Sequence, residues 1–349
     1  MGTREGRGPI GLVTTGGTIG SELVGEEVRL KADGAEAAPE LSAAVTDEGP
    51  SVPAVQPLRK LSENMSPSDW VTIANAIVEL VESSDVSGVV VLHGTDTAAY
   101  TAAALSFLTV DLQTPIVITG SNLPATEPHS DAPTNVRDAT VAASCLGCGT
   151  YLSFSGVPGE PSWIYLGTDV RKTASGGQAF SSLKGKPVAS VENGRFTQHR
   201  PMNILRWSAC VREVDDRVLA VASYPGIDLQ LLADAAVRGG IRGIVVELYP
   251  TGAGPTAQGT SSLPEFVRRC NHNGIVVVTT ASTLPGDHAN VYETFVAIKE
   301  SGALFAHNLI FEAAISKMMW VLAQTQSSDE IKKLMLQPIV EETFGTVEE

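Results

Sequence analysis

Positive charge is scarce in this chain of 349 residues: 24 Lys and Arg stand against 39 Asp and Glu, a formal net charge of −15. A surface this acidic repels phosphate backbones and anionic lipids, which argues against direct binding to nucleic acid or membranes. It opposes a small anionic substrate less, because a local site can run against the net field. Long apolar runs are also missing. No stretch reaches the roughly 18 consecutive apolar residues that cross a bilayer, and the opening MGTREGRGPIGLV holds no signal-peptide core. The expected compartment is therefore the cytoplasm. Cysteine is limited to Cys145, Cys148, Cys210 and Cys270. The C-x-x-C of Cys145 and Cys148 closes an Ala-rich helical stretch instead of opening a helix, where a thiolate would be stabilised. No second pair completes a zinc site, so reduced structural thiols and no metal are expected.

What is present reads as an ordinary globular protein, 43% hydrophobic and 18% charged, long enough for two domains. Short β-branched runs alternate with helical stretches, which favours α/β architecture with a parallel sheet covered by helices. The pattern predicts strands at 10–14, 88–92, 115–119, 150–154, 218–222, 243–247 and 274–279. It predicts helices at 67–83, 98–108, 133–146, 228–238, 262–272, 289–301 and 309–324. The helix from 67 has a marked start, with Ser66 as N-cap, Pro67 first and Asp69 in the opening turn. Segment 26–55 is rich in Ala, Glu and Pro and reads as a lid or a disordered loop. A composition shift near 193–217 predicts two domains, 1–212 and 213–349.

Four stretches could carry chemistry, and each follows or ends a strand, where open α/β sheets bind ligands. TGGTIG at 15–20 is not a dinucleotide fingerprint, since Thr15 stands where the first glycine belongs, and it lacks the lysine of a phosphate-binding loop. It reads equally as a plain turn or as a loop presenting Thr18. LHGTDT at 92–97 places Thr95, Asp96 and Thr97 at a helix start, where Gly94 frees the backbone. Capping accounts for one of the three, but not for all of them together with His93. LSENM at 61–65 leaves Ser62, Glu63 and Asn64 unexplained once Ser66 is the cap. In GTDVRKTASGGQAFSS at 167–182, the pair Arg171 and Lys172 reads by itself as surface charge.

Taken together, TGGTI, SENM…W, HGTDT and VRKT occur in the order and spacing of the bacterial-type L-asparaginases, threonine amidohydrolases that this chain resembles. The similarity runs on through GSNLPATEPHSDAPTNVRDA (120–139) and over most of the C-terminal half. LSENM, GTDVRKT…AFSS, YPGIDLQLL, NVYET and EAAISKMMWVL resemble one branch in particular, the D-type subunit of the archaeal glutamyl-tRNA(Gln) amidotransferase. TGGTIG begins at residue 15, so the accessory N-terminal domain of that branch is not expected here. The resemblance implies a two-domain fold, with a larger N-terminal, mostly parallel sheet flanked by helices and a smaller C-terminal α/β domain. It implies Thr18 as the nucleophile that forms an acyl-enzyme. Thr95, Asp96 and Lys172 would form a second catalytic group that activates water or relays a proton. Gly17, Ser62, Glu63, Gly94 and Asp96 would bind substrate, its α-carboxylate and α-ammonium included. No cofactor is implied, and homodimers or homotetramers are.

The residue types suit that chemistry. A threonine hydroxyl is a poor nucleophile until a neighbour takes its proton, and a desolvated lysine can help to do so. Backbone N–H groups of a Gly-rich loop can stabilise an oxyanion by roughly 3–4 kcal/mol each. The family places a tyrosine on the lid a few residues after the nucleophile. Here TIGSELVGEEV has none, Val24 or Gly25 falls near that place, and the first tyrosine is Tyr100. The loop STLPGDHANVY (282–292) also departs from the amidotransferase branch; its Asp287 and His288 read as solvated, with substrate contact the sharper alternative. The expected function is release of ammonia from L-Asn, L-Gln or a related carboxamide. The alternatives are the ammonia-supplying subunit of a tRNA-dependent amidotransferase, or a non-catalytic amino-acid-binding protein on the same scaffold.

Overall fold

The computed structural model describes residues 8–24, 27–30, 53–183, 186–202, 207, 211–281 and 293–342. The chain divides into two compact units between Arg212 and Glu213.

The first unit is built on an eight-stranded sheet. Its parallel block contains β1 (Ile10–Thr14), β4 (Ala54–Val55), β5 (Gly88–Leu92), β6 (Pro115–Thr119) and β7 (Gly149–Phe154) in the spatial order β4-β1-β5-β6-β7. Beyond β7, the strands β8 (Ser162–Leu166), β11 (Ala189–Glu192) and β12 (Arg195–Gln198) continue the sheet antiparallel. The sheet is therefore mixed: short returns link β7 to β8 and β11 to β12, and no crossover helix intervenes among the described residues. Two small hairpins stand apart from it, β2 (Ser21–Val24) with β3 (Glu27–Leu30), and β9 (Val170–Lys172) with β10 (Phe180–Ser182), the second lying between β8 and β11 in the chain.

The central strands form where the apolar runs are unbroken. All five residues of β5 (GVVVL) and of β6 (PIVIT) are buried, as strands covered on both faces require. Helices α1 (Pro67–Ser84), α2 (Ala98–Leu108) and α3 (Ala132–Cys145) pack on this block. Ten of the eleven residues of α2 are buried, and its run of alanines suits close approach to the strands. At the start of α1, the Ser66 N–H donates to the Asp69 carboxylate at 2.7 Å and the Ser66 hydroxyl does so at 2.8 Å. Lys60 Nζ reaches both oxygens of Asp69 at 2.8 Å. Burial pushes this carboxyl upward, but the hydrogen bonds from Lys60 and Ser66 outweigh it and hold its pKa below the ordinary value.

The second unit carries a parallel sheet in the order β13 (Val218–Ala222), β14 (Gly243–Leu248), β15 (Val276–Ala281) and β16 (Leu304–Phe305). Its helices are α4 (Leu229–Arg238), α5 (Leu263–His272), α6 (Glu293–Glu300), α7 (Phe311–Gln324) and α8 (Ser328–Leu336). Ile244, Val246, Leu263, Phe266, Val277 and Ile298 share its core. Lys317 on α7 and Glu342 form a wholly buried pair at 2.5 Å, and Lys317 also donates to the Gln337 carbonyl at 2.7 Å. These contacts fasten the segment after α8 to α7, since a partnerless charge in that interior would be costly.

Several expectations shift. The strand expected at 274–279 runs from Val276, because Gly274 (φ +74°) closes a turn after α5 and the Ile275 N–H still bonds the Cys270 carbonyl. The helix expected from 309 begins at Phe311. That expected from 289 is helical over Glu293–Glu300, while 282–292, with Asp287 and His288, lies outside the described residues. So do Gly25, Cys210 and most of 26–55. Strands β2 to β4, β8 to β12 and β16, and helix α8, escaped the sequence pattern. Cys145 and Cys270 are free thiols, and burial pushes that of Cys270 up to about 11. Among the described residues, no helix is long and apolar enough to cross a membrane, and no three metal-ligating side chains gather.

Candidate active site

The site follows from strand order. β1 and β5 are parallel neighbours with Thr14 opposite Leu92, so the loops TGGTIG and HGTDT leave the same edge of the sheet side by side. The Thr15 N–H and hydroxyl both bond the Leu92 carbonyl, at 3.1 and 2.9 Å, tying the two exits together. A third segment joins them: the Gly17 N–H donates to the Lys60 carbonyl at 2.9 Å, just ahead of Ser62 and Glu63.

Two glycines let these loops touch. Gly17 has φ +77°, and a Cβ there would lie 2.3 Å from the Gly94 nitrogen. A Cβ on Gly94 would lie 2.6 Å from Ser62 Oγ. No larger residue fits at either position without a shift of its neighbours. Around this contact opens a cleft of about 140 Å³ lined by Gly17, Thr18, Ser62, Glu63, Gly94, Thr95 and Asp96, together with Leu61. Leu61 was not anticipated; its only signal was adjacency to Ser62.

Thr18 opens a 3-10 turn, Thr18–Gly20, held by Gly20 N–H and Ser21 Oγ bonds to the Gly17 carbonyl at 3.1 and 2.7 Å. Its side chain is half-buried and makes no hydrogen bond among the described residues. Thr95 differs. Lys172, at the end of β9, donates from Nζ to Thr95 Oγ1 at 2.8 Å and to Asp96 Oδ1 at 2.6 Å. Lys172 is thus turned onto the threonine loop, which replaces the surface-charge reading. Glu63 and Asp96 are exposed at the rim of the cleft and make it acidic there.

Of the three polar residues at the helix start, Thr97 is the one at the cap position of α2, without a capping side-chain bond. Its hydroxyl donates to the Ser62 carbonyl at 2.7 Å and so links the HGTDT and SEN loops. His93, wholly buried, is fixed by two partners. Its Nδ1 donates to the Gly94 carbonyl at 2.7 Å, so Nε2 accepts from the Thr101 hydroxyl at 3.0 Å. Burial pushes the imidazole pKa down to about 4, against a smaller opposing effect of the Gly94 bond, and the ring is neutral. Beyond β6, Asp131 accepts from the Asn122 and Leu123 N–H groups at 2.9 and 3.1 Å, shaping the GSNL loop. Burial raises the Asp131 pKa despite these bonds.

Comparison with known proteins bears on the whole chain. A family profile described as "Asparaginase, N-terminal" matches residues 9–203, and one described as "Glutaminase/Asparaginase C-terminal domain" matches residues 217–335. The chain is 34% identical over 336 residues to the L-asparaginase of Thermococcus kodakarensis, covering 95% of this chain and 98% of that one. It is also 34% identical over 343 residues to the D-type subunit of the glutamyl-tRNA(Gln) amidotransferase of Pyrococcus abyssi, covering 95% of this chain and 76% of that one. The solved thermostable L-asparaginase from T. kodakarensis superposes with a TM-score of 0.83 at 33% identity, over 97% of this chain and 100% of that one.

Proposed function

The chain belongs to the asparaginase family, and from that premise we propose that it releases ammonia from the side-chain amide of L-asparagine, L-glutamine or a close relative. The observation that carries this reading is a single cleft with Thr18 on one loop and, on the next, Thr95 bonded to Lys172 at 2.8 Å. In the proposed reaction Thr18 Oγ attacks the amide carbonyl. The C–O bond forms, the C–N bond breaks, and ammonia leaves after its nitrogen takes up one proton, the one given up by the threonine hydroxyl and passed on through the Thr95–Lys172 pair. Water then attacks the acyl-enzyme, regenerating the Thr18 hydroxyl and leaving the acid. Glu63 and Asp96 would receive the substrate's ammonium and Ser62 its carboxylate. A cleft of about 140 Å³ suits a free amino acid, being well below the roughly 300–1,000 Å³ of sites for larger ligands.

The proposal extends to a cytoplasmic homodimer or homotetramer that needs no cofactor. A second reading comes from the similarity to the amidotransferase, which spans nearly all of this chain: ammonia produced here would serve a partner that binds tRNA. One experiment separates them. The purified chain and its Thr18→Ala variant are assayed for ammonia release from L-Asn, L-Gln and related amides. Release that falls at least ~10³-fold in the variant supports the reading. Appreciable turnover by the variant rejects Thr18 as nucleophile, and silence on every free amino acid from folded protein turns belief to the partner-dependent reading.

A further inference from the structure

Lys172 reaches Thr95 and Asp96 from an insecure platform. Its hairpin, β9 with β10, has three residues per strand and belongs to neither large sheet. Two-stranded hairpins are marginal alone, so something else must fix this one. Tyr165 supplies the fixing. It lies on β8 within the main sheet, opposite Leu152, and is 4% exposed. Its hydroxyl donates to the Phe180 carbonyl at 2.9 Å, and Phe180 is the residue paired with Lys172 across the hairpin. The same hydroxyl accepts from Gln178 Nε2 at 3.1 Å, and Gln178 also donates to the Phe154 carbonyl on β7 at 3.2 Å. The Phe180 ring meets Phe154 edge-on with centroids 5.1 Å apart. At the far end the Ser182 hydroxyl donates to Asp169.

From this brace we infer that Tyr165, with Gln178, is a positioning residue for Lys172, acting through Phe180 and touching no substrate. The inference rests on the proposed role of Lys172. Lysine is a long, freely rotating side chain, so its reach to Thr95 Oγ1 depends on where its Cα is held. Misplacement by about 1 Å at a reacting group costs on the order of 10²-fold in rate. Tyr165→Phe keeps the ring in the sheet but removes the bond that ties Phe180, and with it Lys172, to the main sheet. Gln178→Ala removes the second tie from a half-buried turn, where misfolding is a small risk.

The test uses the full chain, with wild type, Tyr165→Phe, Gln178→Ala and Lys172→Met compared below their unfolding temperatures. Two readouts are taken: steady-state ammonia release, split into kcat and KM, and the rate at which a water-soluble amine acylating reagent labels Lys172, mapped by peptide mass. Loss of the brace is expected to lower kcat about tenfold, with KM within twofold, and to speed Lys172 labelling severalfold. A merely stabilising tyrosine would shift the melting temperature and leave both readouts unchanged in folded protein. Unchanged labelling in both variants overturns the inference, as does a loss confined to KM. If Lys172→Met keeps full turnover, the catalytic reading of Lys172 fails, while the labelling rate still decides whether Tyr165 positions it.

Discussion

The two threonine loops occupy equivalent places, each just beyond a parallel strand, yet their hydroxyls stand in different circumstances. Thr95 Oγ1 has a cation 2.8 Å away and a carboxylate beside it, and behind it His93 ties its loop to Thr101 on α2 and Thr97 ties it to Ser62. Thr18 sits on a 3-10 turn with its hydroxyl unbonded among the described residues. In the proposed reaction the uncommitted hydroxyl facing the cleft attacks, and the one held by a lysine passes a proton. The difference matches a division of labour between nucleophile and relay, and the close approach of Gly17 to Gly94 keeps the two loops within reach of one substrate.

That division can be broken or sharpened at several points. Loss of the Thr18 hydroxyl is expected to have the largest effect, through the assay described above. Lys172→Met should come next, lowering kcat by about 10²-fold with KM changed less than threefold, as removal of a proton relay does. Steady-state kinetics check this, and a rise in KM alone would make Lys172 a substrate contact.

His93 offers a test of the relay side by pH. Its folded pKa of about 4 lies below the ordinary 6.5, so between those values the unfolded chain binds the extra proton. Stability from this group is fully present above pH 6.5 and declines as pH falls toward 4, by roughly 3 kcal/mol in total. Denaturant unfolding of wild type and His93→Gln at pH 7 and pH 4.5 reads the effect. Equal pH slopes in the two proteins would show that other groups set the acid limb. The smallest change is expected at the rim: Glu63→Gln should raise KM for an ammonium-bearing substrate about tenfold and leave kcat within a fewfold. An unchanged KM would remove Glu63 from substrate binding.

Much of the fold was legible because burial on both faces writes itself as unbroken apolar runs, as in β5 and β6. The start of α1 was legible from Ser66, Pro67 and Asp69, although Asp69 proved also to hold Lys60. Hairpins of three residues per strand were not, since VRK and FSS are too short to show a period and their pairing depends on Tyr165, a residue of another strand. Lys172 read by itself as surface charge, and only the family pattern pointed elsewhere. Capping was expected to account for one of Thr95, Asp96 and Thr97, yet the Thr97 hydroxyl, at the N-cap position, bonds a carbonyl 35 residues away.

The sequence by itself determined the long buried strands, the glycines that let Gly17 and Gly94 touch, and the acidic character of the chain. It determined the residue types as well: two threonines, a lysine and two carboxylates. Tertiary structure decided which hydroxyl received a partner. Thr95 and Lys172 are 77 residues apart, and they meet because the antiparallel strands beyond β7 return the chain to a hairpin braced by Tyr165. Bond distances between such remote groups are set by strand order and packing, which no local run of residues specifies.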